Sequence, residues 1–210
     1  QLLAFDIIKE LSKEAINIYG DNYQACMITN GYLFNDEIIK ELSSLHIFDI
    51  QITLDGPPEI HNIRRKLPSG KDTFFVILDN IKKIIELTDR INITIRVNTD
   101  KDNIKYIDEI LYYLDKYSIR KKVGLYLAPV DNINNTCNGS ICLDTIEFAR
   151  EQLNFVKRNL ERGYNYFNLP HSNLGICGSV AAYNYVIDAL GDVYKCWDDI
   201  ACQERRLGDI

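Results

Sequence analysis

Residues 50–74 read IQITLDGPPEIHNIRRKLPSGKDTF. The run from Phe48 to Leu54 carries the β-branched residues of a buried strand, and Asp55-Gly56-Pro57-Pro58 breaks it, since each proline lacks a backbone donor and glycine accepts a sharp turn. Thr53 and Asp55 stand two residues apart and so share one side of the strand. A hydroxyl beside a carboxylate suits gripping ribose hydroxyls; the other reading of Asp55 is a cap on the turn at Gly56. Upstream, Leu3, Ile7, Ile8, Leu11, Ala15 and Ile18 recur at helical spacing until Gly20-Asp21-Asn22. Ala25 to Thr29 then reads as a short strand, and Asn35 caps a helix through Ile38, Ile39 and Leu42. Downstream come a helix from Phe75 to Leu87, a strand from Ile91 to Val97, a helix from Ile104 to Leu114 and a strand from Val123 to Leu127. A longer loop, Ala128 to Leu143, precedes a helix from Asp144 to Arg162.

Strand and helix units of this length imply right-handed crossovers and a parallel sheet, which places the chain in the α/β class. In parallel barrels chemistry sits at the carboxyl ends of the strands. Polar residues gather there in this chain: Thr29-Asn30-Gly31, Thr53-Leu54-Asp55-Gly56 and Asn98-Thr99-Asp100. Arg96 and Asn98 share one face of their strand, either toward a ligand or as a buried polar pair.

A second signal lies near the end of the sequence, where Cys177, Gly191 and Cys196 form a C-x13-G-x4-C unit. Tyr183 to Ile187 alternates as a strand, residues 188–191 turn, and Val193 to Cys196 returns, so a hairpin carries both thiols. A hairpin-borne cysteine pair suits iron–sulfur or zinc ligation. Cys137 and Cys142 are spaced for metal binding yet read better as free thiols, Cys202 as an unligated thiol, and Cys26 as a small core residue.

Taken together, the run at 50–74 and the cysteine unit make the chain resemble, over nearly its whole length, the radical S-adenosylmethionine enzymes that carry a SPASM domain. That family includes anaerobic sulfatase maturases and peptide-modifying maturases. The resemblance implies a partial (β/α)6 TIM-like barrel of which these strands are the third to sixth. Residues 1–165 then belong to the barrel and 166–210 to a linker and the first hairpin of the SPASM domain. The family's C-x3-C-x2-C loop and G-G-E-P strand end do not occur in this sequence, and Gln1-Leu2-Leu3 resembles the segment that follows G-G-E-P. A fragment is therefore expected, inactive alone.

Residue by residue, Thr29-Asn30-Gly31 matches the family's T-N-G turn, which implies Asn30 near the cofactor. Thr53 stands where the family has a serine that contacts the cofactor ribose. His61-Asn62-Ile63-Arg64-Arg65 resembles H-D-x-x-R, which implies that Arg65 reaches the methionyl carboxylate; Asn62 replaces the family's Asp. Asn98 is placed near the cofactor, and Leu127 packs either on adenine or in the core. Cys177 and Cys196 become the first ligands of an auxiliary [4Fe-4S] cluster. In sulfatase maturases a carboxylate base directly follows the second cysteine; here Trp197 takes that position and Asp198, one residue on, is the catalytic candidate. The implied cofactors are S-adenosylmethionine and [4Fe-4S] clusters. The implied activity is reductive cleavage of S-adenosylmethionine to a deoxyadenosyl radical that abstracts hydrogen from a peptide or protein, with flavodoxin or ferredoxin as electron donor.

Bulk properties are compatible with this. With 210 residues, 46% of them hydrophobic, there is material for one sizeable core plus an appendage. A formal net charge of −6 argues against a nucleic-acid partner. No apolar stretch is long enough for a membrane span, and a cytoplasmic protein is expected. Two other classes stand beside the radical enzyme: an α/β-barrel enzyme with structural zinc on Cys177 and Cys196, and a non-catalytic peptide-binding module.

Overall fold

Isoleucine-rich runs alternating with amphipathic segments give the order the sequence predicts. A computed structural model describes residues 2–132, 141–163 and 177–210. In chain order the first set of elements is α1 (Phe5–Tyr19), β1 (Ala25–Thr29), α2 (Asp36–Leu42), β2 (Ile47–Thr53), α3 (Pro58–Arg64), α4 (Phe74–Leu87), β3 (Asn92–Thr99), α5 (Ile107–Lys116), β4 (Val123–Pro129) and α6 (Thr145–Glu161). The described residues divide into two compact units, 2–130 with 141–163 and 131–132 with 177–210. The expected boundary at 165/166 and Cys137 lie outside the described residues.

The first unit is a four-stranded, wholly parallel sheet in the order β1-β2-β3-β4. Period-two alternation gives it two unlike faces. Ile50 and Ile52 of β2, Ile93, Ile95 and Val97 of β3, and Val123, Leu125 and Leu127 of β4 are buried with Leu42 of α2, Ile81 of α4, Ile110 of α5 and Phe155 of α6 in one core. The other face carries Gln51, Thr53, Thr94, Arg96, Asn98 and Tyr126, all half-buried. Tyr126 Oη donates to Gln51 Oε1 at 2.6 Å across β3, which ties this polar face together.

Local chemistry sets the helix starts. Asn35 Oδ1 accepts from Ile38 N–H at 2.9 Å, and Asp144 with Glu147 forms a reciprocal capping box on α6. The sequence reading misses α3: Pro58 occupies its first position, where a missing N–H costs nothing, so the double proline begins a helix as well as ending a strand. The helix expected from Ile104 opens instead as a 3-10 turn, Ile104–Tyr106, that leads into α5.

The expected helix α1 forms, and one expectation for the amino-terminal region is corrected. Of the apolar row, Leu3, Ile7, Leu11 and Ile18 are exposed while Ile8 and Ala15 are half-buried, and Leu2, Phe5 and Ser12 are buried. Cys26 is exposed because β1 is an edge strand whose Cys26 and Ile28 share the face opposite buried Met27 and Thr29.

The second unit is a three-stranded antiparallel sheet of β5 (Val186–Ile187), β6 (Asp192–Tyr194) and β7 (Gly208–Asp209), with β6 central. The expected hairpin is present, shorter than read: Val186 pairs with Tyr194 and Ile187 with Val193. Asp188 Oδ1 ties the turn by accepting from Leu190 N–H at 2.8 Å and Asp192 N–H at 3.0 Å. Gly191 closes it at φ 88°, and a Cβ there would stand 3.2 Å from the Ile210 carbonyl oxygen. No helix among the described residues is long and apolar enough to cross a membrane.

Candidate functional site

The turn after β1 is built from two local polar contacts and two from α4. Thr29 Oγ1 accepts from Gly31 N–H at 3.3 Å, and Asn30 Oδ1 accepts from Tyr32 N–H at 3.2 Å. Gly31 has φ 74°, and a Cβ on it would come within 2.9 Å of the Ile52 side chain, so both conformation and packing demand glycine. From α4, Asn80 Nδ2 donates to the carbonyls of Gly31 at 2.9 Å and Tyr32 at 3.0 Å. The sequence reading passes over Asn80, although a lone Asn on the apolar face of FFVILDNIKKIIEL is the sign of a buried polar anchor.

At the end of β2, Asp55 is almost wholly buried, its side chain 2% exposed. Its Oδ2 accepts from Arg65 Nε at 2.6 Å and its Oδ1 from Asn98 N–H at 3.1 Å. Asp55 N–H donates to His61 Nδ1 at 3.1 Å, and Asn103 Nδ2 donates to the carbonyls of both Asp55 and Asn98 at 2.7 Å. His61 Nε2 lies 3.1 Å from Thr73 Oγ1, whose hydroxyl donates to the Arg65 carbonyl at 2.9 Å. That direction assigns the His61 proton to Nε2. Burial, with Arg65 and Arg64 adding to it and Asp55 opposing, holds the His61 pKa down at about 4, so the ring is neutral near pH 7. Asn62, standing where a carboxylate is expected, accepts from Thr73 N–H at 3.1 Å and Phe74 N–H at 3.0 Å and so caps α4. Arg64 turns to Asp100, donating to its Oδ2 at 2.8 Å.

Two cavities that share Asn30, Thr53 and Arg65 open at the carboxyl ends of β1 and β2. One, of about 310 Å³, is lined also by Leu3, Ile28 and Leu33; the other, of about 300 Å³, by Arg64 and Lys66 among others. The Arg65 side chain is 41% exposed there, and its guanidinium is engaged through Nε. A larger cavity of about 450 Å³ lies at the amino ends of β3 and β4, lined by Ile85, Asn92 and Lys122 among others. The buried charge is at the carboxyl ends, where parallel sheets place their ligands, and that end is the candidate site.

The structure thus brings Asn30, Thr53 and Arg65 together. Asp55 lies behind them rather than in the cavity lining. Asn98 lines neither cavity; its Oδ1 accepts from Arg96 Nε at 2.8 Å. Leu127 pairs in register with Val97 and is buried in the core, on the sheet face opposite Thr53.

In the second unit, Cys177 Sγ lies 3.2 Å from Ser179 Oγ, and hydrogen bonding from the Ser179 side chain and backbone lowers its thiol pKa. Cys196 Sγ donates to Asp198 Oδ2 at 3.7 Å. Two thiolates are half of the roughly four cysteines that hold a [4Fe-4S] cluster. Among the described residues no group of three or more His, Cys, Asp or Glu could hold a metal ion. These residues do not by themselves fit a cluster.

The chain superposes on the solved protein anSMEcpe with bound AdoMet at a TM-score of 0.73 and 20% identity, covering all of this chain and 60% of that one. The same protein with AdoMet and the Kp18Cys peptide gives 0.72. By sequence the chain belongs to the family of the uncharacterized protein MJ0804 of Methanocaldococcus jannaschii, with 31% identity over 204 residues, 93% of this chain and 67% of that protein. It is also 24% identical over 200 residues to the tungsten-containing aldehyde ferredoxin oxidoreductase cofactor-modifying protein of Pyrococcus furiosus, spanning 91% of this chain and 52% of that relative. No family model matches.

Proposed function

We propose that the chain supplies part of the S-adenosylmethionine pocket of a radical enzyme that modifies a peptide or protein. The observation that carries this reading is the cavity where Asn30, Thr53 and Arg65 meet in front of a buried carboxylate. Its donor set fits the cofactor: a hydroxyl and a carboxamide suit ribose oxygens, and a guanidinium suits a carboxylate. Bound with a reduced iron–sulfur cluster, S-adenosylmethionine supplies the one-electron chemistry that removes hydrogen from a substrate carbon. The residues of this chain bind and orient it. The peptide held by the structural neighbour supports a peptide or protein substrate.

In the same reading Cys177 and Cys196 are two ligands of an auxiliary [4Fe-4S] cluster completed from outside the described residues, Asp198 is the carboxylate beside it, and flavodoxin or ferredoxin delivers electrons. The test is iron, labile sulfide and reductant-dependent 5′-deoxyadenosine release by the anaerobically prepared protein at its full genomic length. Iron with product release is expected, and Cys177→Ala with Cys196→Ala lowers the iron content. Zinc in place of iron, with no 5′-deoxyadenosine, returns the chain to the non-radical barrel class.

A further inference from the structure

A ligand-gripping carboxylate needs an oxygen facing the ligand, and both oxygens of Asp55 are buried against protein donors. Oδ2 is taken by Arg65 Nε and Oδ1 by Asn98 N–H, and the side chain is 2% exposed. The rest of the residue is equally tied. Its N–H donates to His61 and its C=O accepts from Asn103. Following these contacts closes a ring: Asp55 to His61, His61 to Thr73, Thr73 to the Arg65 carbonyl, and Arg65 Nε back to Asp55. Arg65 is therefore held at two points, backbone and Nε.

We infer that Asp55 is a positioning residue, which fixes Arg65 through Nε so that the Nη edge faces the cavity as a preformed receptor for a ligand carboxylate. A guanidinium presents five donors in a planar fork, and engaging Nε leaves the Nη pair as a complete bidentate edge. The neighbouring Arg64 makes its short contact to buried Asp100, at 2.8 Å, and lies 3.9 Å from Asp55 Oδ2, so the close Asp55 contact belongs to Arg65. Fixing the fork before binding removes the ordering cost of a long side chain from the binding step. In this role Asp55 governs recognition of the amino-acid end of the ligand and leaves recognition of its nucleoside end unchanged.

This inference rests on the S-adenosylmethionine reading, and its test separates the two. Binding of S-adenosylmethionine and of 5′-methylthioadenosine, which has the nucleoside but no carboxylate, is measured by calorimetry on the anaerobically prepared full-length protein and on Asp55→Asn. Loss of a charge-assisted contact predicts S-adenosylmethionine binding roughly 10-fold to 100-fold weaker with 5′-methylthioadenosine binding unchanged. Arg65→Gln, which leaves the Asp55 carboxylate in place, is expected to show the same split. An equal loss for both ligands in Asp55→Asn makes Asp55 a nucleoside contact and overturns the inference, as does no change for either. Independently of any ligand, the 15N-detected Arg65 Nε–H of the wild type should be protected from exchange and lose that protection in Asp55→Asn. An unprotected wild-type Nε–H also overturns the inference. A wild type that binds neither ligand while keeping the protected Nε–H overturns the cofactor reading and leaves the positioning role in place.

Discussion

Ile52 and Tyr194 are both fully buried, in very different settings. Ile52 sits on β2 among isoleucines and leucines contributed by the other strands and by the helices that cover one face of the sheet. Tyr194 is the one buried apolar side chain among the described residues of 177–210, and its hydroxyl has no hydrogen-bond partner there. Around it polar contacts do the fastening. Lys195 Nζ donates to the carbonyls of Ala181 at 2.6 Å and Asn184 at 2.9 Å, Arg206 Nε pairs with Asp192 at 2.6 Å, and Arg206 also pairs with Asp209. Buried apolar surface is what chiefly holds the large parallel sheet, whereas the described residues of the second unit are held chiefly by these polar contacts.

That contrast is open to attack in four ways. Ile52→Ala should destabilise the first unit most, by about 3 kcal/mol, because it removes packed atoms and leaves a cavity that rigid strands cannot collapse. Val193→Ala, half-buried in the hairpin, should cost no more than about 1 kcal/mol. Urea unfolding of both variants measures this, and similar losses would erase the distinction.

Acid should act next on the first unit. Unfolded His61 takes up a proton near pH 6.5, and the folded ring resists until about pH 4. Between those values the unfolded chain binds more protons, so stability is fully present above pH 6.5 and is lost as pH falls through the window. The span corresponds to roughly 3 kcal/mol at its full extent, of which about half is gone midway. Replacing His61 with Gln should flatten this slope of unfolding free energy against pH; a slope that survives the substitution assigns it to other groups.

Asn62→Ala should cost about 1 to 2 kcal/mol by uncapping α4, and Asn62→Asp should restore most of it, since either side chain offers the acceptor oxygen. Failure of the aspartate to rescue would mean that the carboxamide has another role. The smallest effect belongs to Lys195→Met. It should leave the unfolding midpoint of the first unit where it is and speed amide exchange at 181–184, where the ammonium gathers three carbonyls. Unchanged exchange would show that the second unit does not depend on this staple.

Legibility followed the range of the interaction. The strand runs, the cap at Asn35 and the glycine turns at 31 and 191 are readable, because each depends on residues a few positions away. The helix α3 was missed because a proline pair signals an ending and a beginning alike. The two-residue β7 is too short to carry any alternation. Thr53 is a candidate from its spacing to Asp55 and Arg65 from the family resemblance alone, while the inward turn of Asp55 is not readable, since nothing local shows whether a carboxylate turns outward or inward.

Sequence by itself determined the succession of the four parallel strands, the two faces of each of them and the turns at Gly31 and Gly191, because backbone sterics and side-chain periodicity act within one element. Tertiary structure alone decided which charges meet. Arg64 finds Asp100 across 36 positions, Asn103 finds the Asp55 carbonyl across 48, and Asn80 finds Gly31 across 49. It also decided which residues of the apolar row of α1 are exposed, Ile7, Leu11 and Ile18, and which pack inward, Ile8. Buried donors and acceptors must find partners wherever the chain brings them, and that matching through space leaves no periodic trace along the sequence.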